Sequence, residues 1–125
     1  MADLKYTKDH EVVYVDGDIV HVGISKHAQD ALGDLVFVEL PDVGKTVSQG
    51  DDVAVVESVK TAAEVYSPVA GEIVETNDAM ADDFELIAQP VNDNGWIVKV
   101  KIGGSSDLEG LMDQTAYDAY LKEID

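Results

Sequence analysis

Short runs of β-branched residues, punctuated by turn formers, dominate the chain. Val12-Val13-Tyr14-Val15, then Asp16-Gly17, then Asp18 through Ile24 predict a β-hairpin, because an Asp-Gly pair accepts the positive φ values of a tight turn. Ser25 suits the N-cap of a short helix that carries Ala28, Ala31 and Leu32 on one face and ends at Gly33. Leu35-Val36-Phe37-Val38-Glu39-Leu40 reads as a strand covered on both faces, stopped by Pro41 and followed by the turn Asp42-Val43-Gly44-Lys45. Gln49-Gly50-Asp51-Asp52 forms another turn. Beyond it, Val53 to Glu57 and Ala63 to Tyr66 are two strands, and Ser58-Val59-Lys60-Thr61-Ala62 lies at the tip between them. Ser67 to Gly71 turns into a strand at Glu72 to Glu75, and Trp96 to Ile102 alternates as one more. After the linker Gly103-Gly104-Ser105-Ser106, Asp107 can cap a turn carrying Leu108, Leu111 and Met112. Tyr117, Tyr120, Leu121 and Ile124 then follow helical spacing. The pattern predicts a mainly β fold with a short helix after the first hairpin and a C-terminal helical segment over about 107–124.

Length narrows this to one compact domain, 1–125, since 125 residues support a single core of ordinary size. The charge is lopsided: 26 acidic against 8 basic side chains give a net charge of -18, and every basic residue is a lysine. Such a chain cannot replace the counterions around a nucleic acid, and an anionic membrane surface repels it. The acidity serves solubility through self-repulsion, or steers the chain toward basic patches on partner proteins. Without cysteine there is no disulfide, no thiolate nucleophile and no Cys-based metal site, so any redox sulfur must come from a cofactor. No apolar run approaches a membrane span, and Met1-Ala2-Asp3-Leu4-Lys5 lacks the features of a signal or transit peptide. The expected setting is the cytoplasm, or the mitochondrial matrix only if a transit peptide has been removed. His10, His21 and His27 show no ligand spacing, and neither Asp51-Asp52 nor Asp82-Asp83 builds a calcium loop, so no metal site is expected. Trp96 reads as a core or cleft-edge aromatic.

One segment changes the picture. Glu57-Ser58-Val59-Lys60, followed by Glu64-Val65-Tyr66-Ser67-Pro68-Val69-Ala70-Gly71-Glu72, resembles the lipoyl-lysine hairpin of glycine cleavage H proteins. The likeness extends to His10-Glu11, Val22-Gly23-Ile24-Ser25, Ala28-Gln29, Leu32-Gly33-Asp34 and Val36-Phe37-Val38-Glu39-Leu40-Pro41. It continues through Gly95-Trp96-Ile97, Lys99-Val100 and the closing helical segment. Two departures stand out: Val12 where the family has an aromatic, and a stretch over 82–94 without the family's Asn/Pro pattern.

The resemblance implies a flattened barrel-sandwich hybrid with the lipoyl hairpin at about 53–66 and lipoate amide-linked to Lys60, flanked by Glu57, Ser58 and Val59. It implies a carrier and not an enzyme, with no catalytic residue of its own. Its partners would be the pyridoxal-phosphate-dependent glycine decarboxylase (P protein), the folate-dependent aminomethyltransferase (T protein), dihydrolipoyl dehydrogenase (L protein) and a lipoate-attaching enzyme. The residue chemistry is compatible: a turn between rigid strands exposes an ε-amine, and small Ser58, Thr61, Ala62 and Ala63 leave room around it. Glu11 and Glu64, with His10 nearby, are candidate carboxylates for a cleft that holds an aminomethyl cation; the other reading of both is ordinary solvated charge. Three alternatives keep the hairpin or the fold but change the task. They are a lipoyl module of a 2-oxoacid dehydrogenase complex or a biotinyl module, a protein that relays lipoate to other carriers, and an unmodified β-sandwich interaction domain. Biotin is disfavoured because Val59 and Thr61, not methionines, flank the lysine.

Overall fold

The computed structural model describes residues 4–8, 10–88, 91, 95–103 and 110–124. In chain order these form β1 (Leu4–Tyr6), β2 (Glu11–Asp16), β3 (Ile19–Ile24), α1 (Lys26–Leu32), β4 (Leu35–Glu39), β5 (Thr46–Val47), β6 (Asp52–Ser58), β7 (Ala62–Tyr66), β8 (Gly71–Thr76), α2 (Asp78–Asp82), a 3-10 turn (Phe84–Ala88), β9 (Val98–Ile102) and α3 (Gln114–Ile124). The strands build two sheets, one of six strands in the order β1-β2-β3-β9-β8-β5 and one of three in the order β4-β6-β7. All pairings are antiparallel.

The reason is the period-2 placement of β-branched residues. Val13, Val20, Val22, Ile73, Val98 and Val100 of the large sheet share one buried cluster with Val38, Val53, Val56 and Val65 of the small sheet. Each such side chain contributes about 1.5–3 kcal/mol when fully buried. The other face of β2 is also covered. Val12 joins Tyr6, Val91, Trp96 and Tyr117 in a second cluster, closed from outside by Tyr120 and Leu121 of α3. That double coverage explains why Val12 and Val13 are both apolar.

Several local predictions hold. Ser25 caps α1 by accepting a hydrogen bond from the Ala28 amide, and Gly33 ends it at a φ of 80°, where a Cβ would be strained. The first hairpin turns one residue later than expected. Asp16 pairs with Ile19, so Gly17-Asp18 are the turn residues and only Gly17 has positive φ.

Other predictions fail for identifiable reasons. β4 is not covered on both faces: it is an edge strand, a register shift lies between Leu35 and Phe37, and Val36 and Phe37 remain 50% and 48% exposed. Met112 does not sit in a helical turn but bridges Tyr6, with amide–carbonyl hydrogen bonds of 2.7 and 2.9 Å in the two directions. α3 therefore starts only at Gln114, capped by Asp113, whose Oδ1 accepts from the Ala116 amide at 2.8 Å. The predicted cap Asp107, Leu108 and the linker residues 104–106 lie outside the described residues, as do 89, 90 and 92–94 of the stretch that departs from the family pattern. β1, β5 and α2 were not predicted, being too short for periodicity to declare. α2 and the 3-10 turn nevertheless bury Met80 and Ile87.

His21 on β3 lies edge-on to Tyr14 and beside Trp96, with Lys99 opposite it on β9. Burial, then the Lys99 charge, lower its pKa from the ordinary 6.5. The unfolded chain therefore takes up this proton first as pH falls, and stability should decline from about pH 6.5 downward until the folded imidazole is also protonated. Thermal melts at stepped pH should show that decline, and His21→Gln should remove part of it; a variant with an unchanged acid limb would refute the assignment.

Candidate functional site

β6 and β7 pair through Glu57 and Ala62, leaving Ser58 to Thr61 as the apex of their hairpin. Ser58 organises this apex. Its amide donates to the Thr61 carbonyl at 2.7 Å. Its buried hydroxyl donates to the same carbonyl at 3.1 Å and accepts from the amides of Lys60 and Thr61 at 3.3 and 3.2 Å. One small side chain thus satisfies the turn's backbone and holds Val59 and Lys60 outward, with Val59 77% exposed. Lys60 is exposed and takes part in no ion pair among the described residues, although the chain carries 26 acidic side chains. Its stem lies along the end of α1: a Cβ at Gly33 would come within 3.5 Å of Lys60 Cε and 3.8 Å of Nζ. A helix C-terminus is a favourable place for an ammonium group. Glu57, half-buried on β6, belongs to the strand and not to the apex.

Beside the hairpin lies a cleft of about 290 Å³ between α1 and the small sheet. His10, Glu11 and Glu64, expected from sequence to share a cleft, all line it, together with His27, Ala28, Ala31 and Leu32 from the α1 side and Val56, Ala63 and Val65 from the hairpin. The two carboxylates differ sharply. Glu64 is exposed on β7, whereas Glu11 is 2% exposed. The Glu11 Oε1 accepts from the Thr7 hydroxyl at 2.7 Å and its Oε2 from the Tyr66 amide at 3.3 Å. Glu11 is therefore no solvated surface charge, because it ties the start of β2 to the end of β7. His10 holds a φ of 71°, and its ring lies 4.5 Å from that of His27. A larger depression of about 440 Å³ on the α3 side takes none of its lining from β6 or β7.

Sequence reasoning missed Thr7 and Tyr66 as the partners of Glu11, and the α1 residues as cleft lining. Small residues at the Ala28, Ala31 spacing marked a packed helix face, but not what it faces. Among the described residues no group of three or more His, Asp or Glu could hold a metal ion, and no helix is long and apolar enough to cross a membrane.

Two packed antiparallel sheets thus present a lysine amine at a hairpin apex, next to a cleft lined by apolar residues and two glutamates, an arrangement suited to a carrier protein. The chain belongs to the glycine cleavage H-protein family, whose model, Glycine cleavage H-protein, matches residues 4–124. Glycine cleavage system H proteins of Escherichia coli O7:K1 and Salmonella arizonae are 54% and 53% identical to it over 123 residues, spanning 98% of this chain and 95% of each relative. The crystal structure of a glycine cleavage system H protein from Mycobacterium marinum matches with a TM-score of 0.81 at 40% identity, over 96% of this chain and 97% of that one. The chain is thus of the lipoyl-carrier kind and a component of the glycine cleavage system, and its fold is the barrel-sandwich expected. That membership sets the 2-oxoacid and biotinyl readings aside.

Removing the Ser58 hydroxyl should loosen the apex without unfolding the sandwich. In Ser58→Ala, hydrogen exchange at the Lys60 and Thr61 amides should quicken while the Val56 amide keeps its protection, at a cost of about 0.5–1.5 kcal/mol for each net hydrogen bond lost. Unchanged exchange at both apex amides would show that Ser58 does not hold the turn.

Proposed function

We propose that Lys60 is the lipoate attachment point and that the chain, working as a single carrier domain over 1–125, shuttles an aminomethyl group. It would receive the group from glycine decarboxylase, deliver it to the folate-dependent aminomethyltransferase, and return to dihydrolipoyl dehydrogenase for reoxidation. The observation that carries this reading is the exposed Lys60 at an apex ordered by Ser58, outside every described ion pair, beside a cleft lined by apolar residues and by Glu11 and Glu64. Amide formation removes the lysine's positive charge. Lipoate, when attached, supplies a dithiolane at the end of a flexible chain.

The chain's own contribution is positional. Ser58 presents the amine to the attaching enzyme. Ala28, Ala31, Leu32 and Val65 offer the apolar floor that an alkyl arm requires. Glu11 and Glu64 offer negative charge to an aminomethyl ammonium, and the cleft limits the water that would decompose it. The chemistry at the arm's end belongs to the partner enzymes, so the chain acts as a carrier and not as a catalyst. Bacterial relatives favour a cytoplasmic setting for this work.

Intact mass tests the attachment. Incubated with a lipoate ligase, the chain should gain one lipoyl increment that Lys60→Arg abolishes; no gain in the unaltered chain, or gain in the variant, would reject the assignment. The cleft is tested separately by the hydrolysis lifetime of the loaded arm. Glu11→Gln and Glu64→Gln should each shorten it severalfold, and lifetimes equal to wild type in both variants would reject the carboxylate role.

A further inference from the structure

Glu11 and Glu64 could act on a bound cation only if the cleft keeps its shape, and His10 and α1 supply part of its walls. His10 sits at a φ of 71°, a conformation rarely adopted by residues bearing a Cβ, so its surroundings must hold it there. Its backbone is held by a hydrogen bond from its amide to the Thr7 carbonyl at 3.1 Å and one from the Ser25 amide to its carbonyl at 2.8 Å. Its ring is held by a group from the far end of the chain: Nδ1 lies 2.7 Å from the hydroxyl of Tyr117 on α3.

That hydroxyl is also 2.7 Å from the Oγ of Ser25, the residue that caps α1. One phenol oxygen therefore joins the two walls, His10 on one side and the start of α1 on the other. The Tyr117 ring cannot wander, because it is 3% exposed and stacks on Tyr6 at 4.5 Å with 5° between the planes. Burial, the largest influence, raises the phenol's pKa, while the Ser25 hydrogen bond lowers it, so the hydroxyl keeps its proton at neutral pH. With one proton to donate, Tyr117 completes a directional chain. It passes either from the Ser25 hydroxyl through Tyr117 to an unprotonated Nδ1, or from Nδ1–H through Tyr117 to Ser25. Either direction settles whether Nδ1 of His10 carries a proton.

We infer that Tyr117 is a positioning residue for the arm cleft, setting the His10 ring and the α1 wall through the hydrogen bonds its hydroxyl makes to His10 and Ser25. This rests on the cleft reading above and adds a role for the C-terminal helix, which supplies no residue to the cleft lining. Supporting groups of this kind fix geometry that the lining residues cannot fix themselves.

The test uses the full lipoylated chain with ¹⁵N-labelled histidine. In wild type, at an alkaline pH where imidazole carries one proton, the His10 ring nitrogens should report a single tautomer. Tyr117→Phe keeps the stacked ring and deletes the hydroxyl, so it should convert that signal to a tautomer mixture and shorten the lifetime of the loaded arm severalfold. Tyr6→Phe serves as the control: it removes the hydrogen bond from Tyr6 to Gln114 on the same helix, and should leave both readouts near wild type. A wild-type mixture overturns the inference even if Tyr117→Phe fails to fold. So does an unchanged His10 signal in Tyr117→Phe, or a changed signal with a wild-type lifetime. If the arm on the wild-type chain hydrolyses as fast as free aminomethyl-lipoamide, the cleft reading itself fails and takes the inference with it; a protected wild type with an equally protected Tyr117→Phe sinks the inference alone.

Discussion

A lysine can hold its amine clear of a β protein only while the strands beneath it neither slide nor fray. Here that constraint is met by burying the inner face of the β6–β7 hairpin, where Val56 and Val65 enter the same cluster as Val13, Val22 and Ile73 of the opposing sheet. Slipping either strand by one residue would turn those valines outward and carry Lys60 off the apex, so the hydrophobic pattern fixes the register and the register fixes the amine. Ser58 then finishes locally what the core begins. Its hydroxyl bonds the amides of Lys60 and Thr61 and the Thr61 carbonyl, which fixes the backbone from which the lysine projects.

The surplus of negative charge acts on this arrangement in two ways. At the surface it is largely solvated, since the described ion pairs, Lys26–Asp30 and Lys99–Glu75, are exposed or partly so and contribute little. At the cleft the same charge type is constrained. Glu11 is buried and hydrogen-bonded to Thr7 and Tyr66, and Glu64 stands at the rim. One carboxylate thus does structural duty and has a fixed position, while the other, exposed on β7, is free to adapt.

The sandwich is also closed from its ends. β1 and α3, far apart in sequence, meet through the Tyr6–Met112 bridge and the Tyr6–Tyr117 stack. The helix that covers the back of β2 thereby reaches His10 and Ser25. Much of the arrangement around the hairpin is legible in the sequence. Lys60 at a tip, Ser25 as a cap and Gly33 as a terminator follow from local chemistry, and His10, Glu11 and Glu64 do line one cleft. The exposure of Val36 and Phe37 was not legible, because an edge strand with a register shift carries the same apolar letters as a central one. Nor was the start of α3, since helical spacing does not show that Met112 bridges Tyr6 and leaves Asp113 to cap the helix.

What the sequence by itself determined is everything set by neighbours along the chain: turns, caps, the alternation that buries one face of each strand, the absence of arginine and cysteine, and a lysine between two strands within a family-like segment. Tertiary structure alone decided which distant groups share a hydrogen bond. That Tyr117 reaches both His10 and Ser25, and that Glu11 accepts from the Tyr66 amide, depends on how the sheets and α3 pack across long separations. Helical spacing declares only that a tyrosine's ring is buried; where its hydroxyl points is settled by the partners that packing brings within reach.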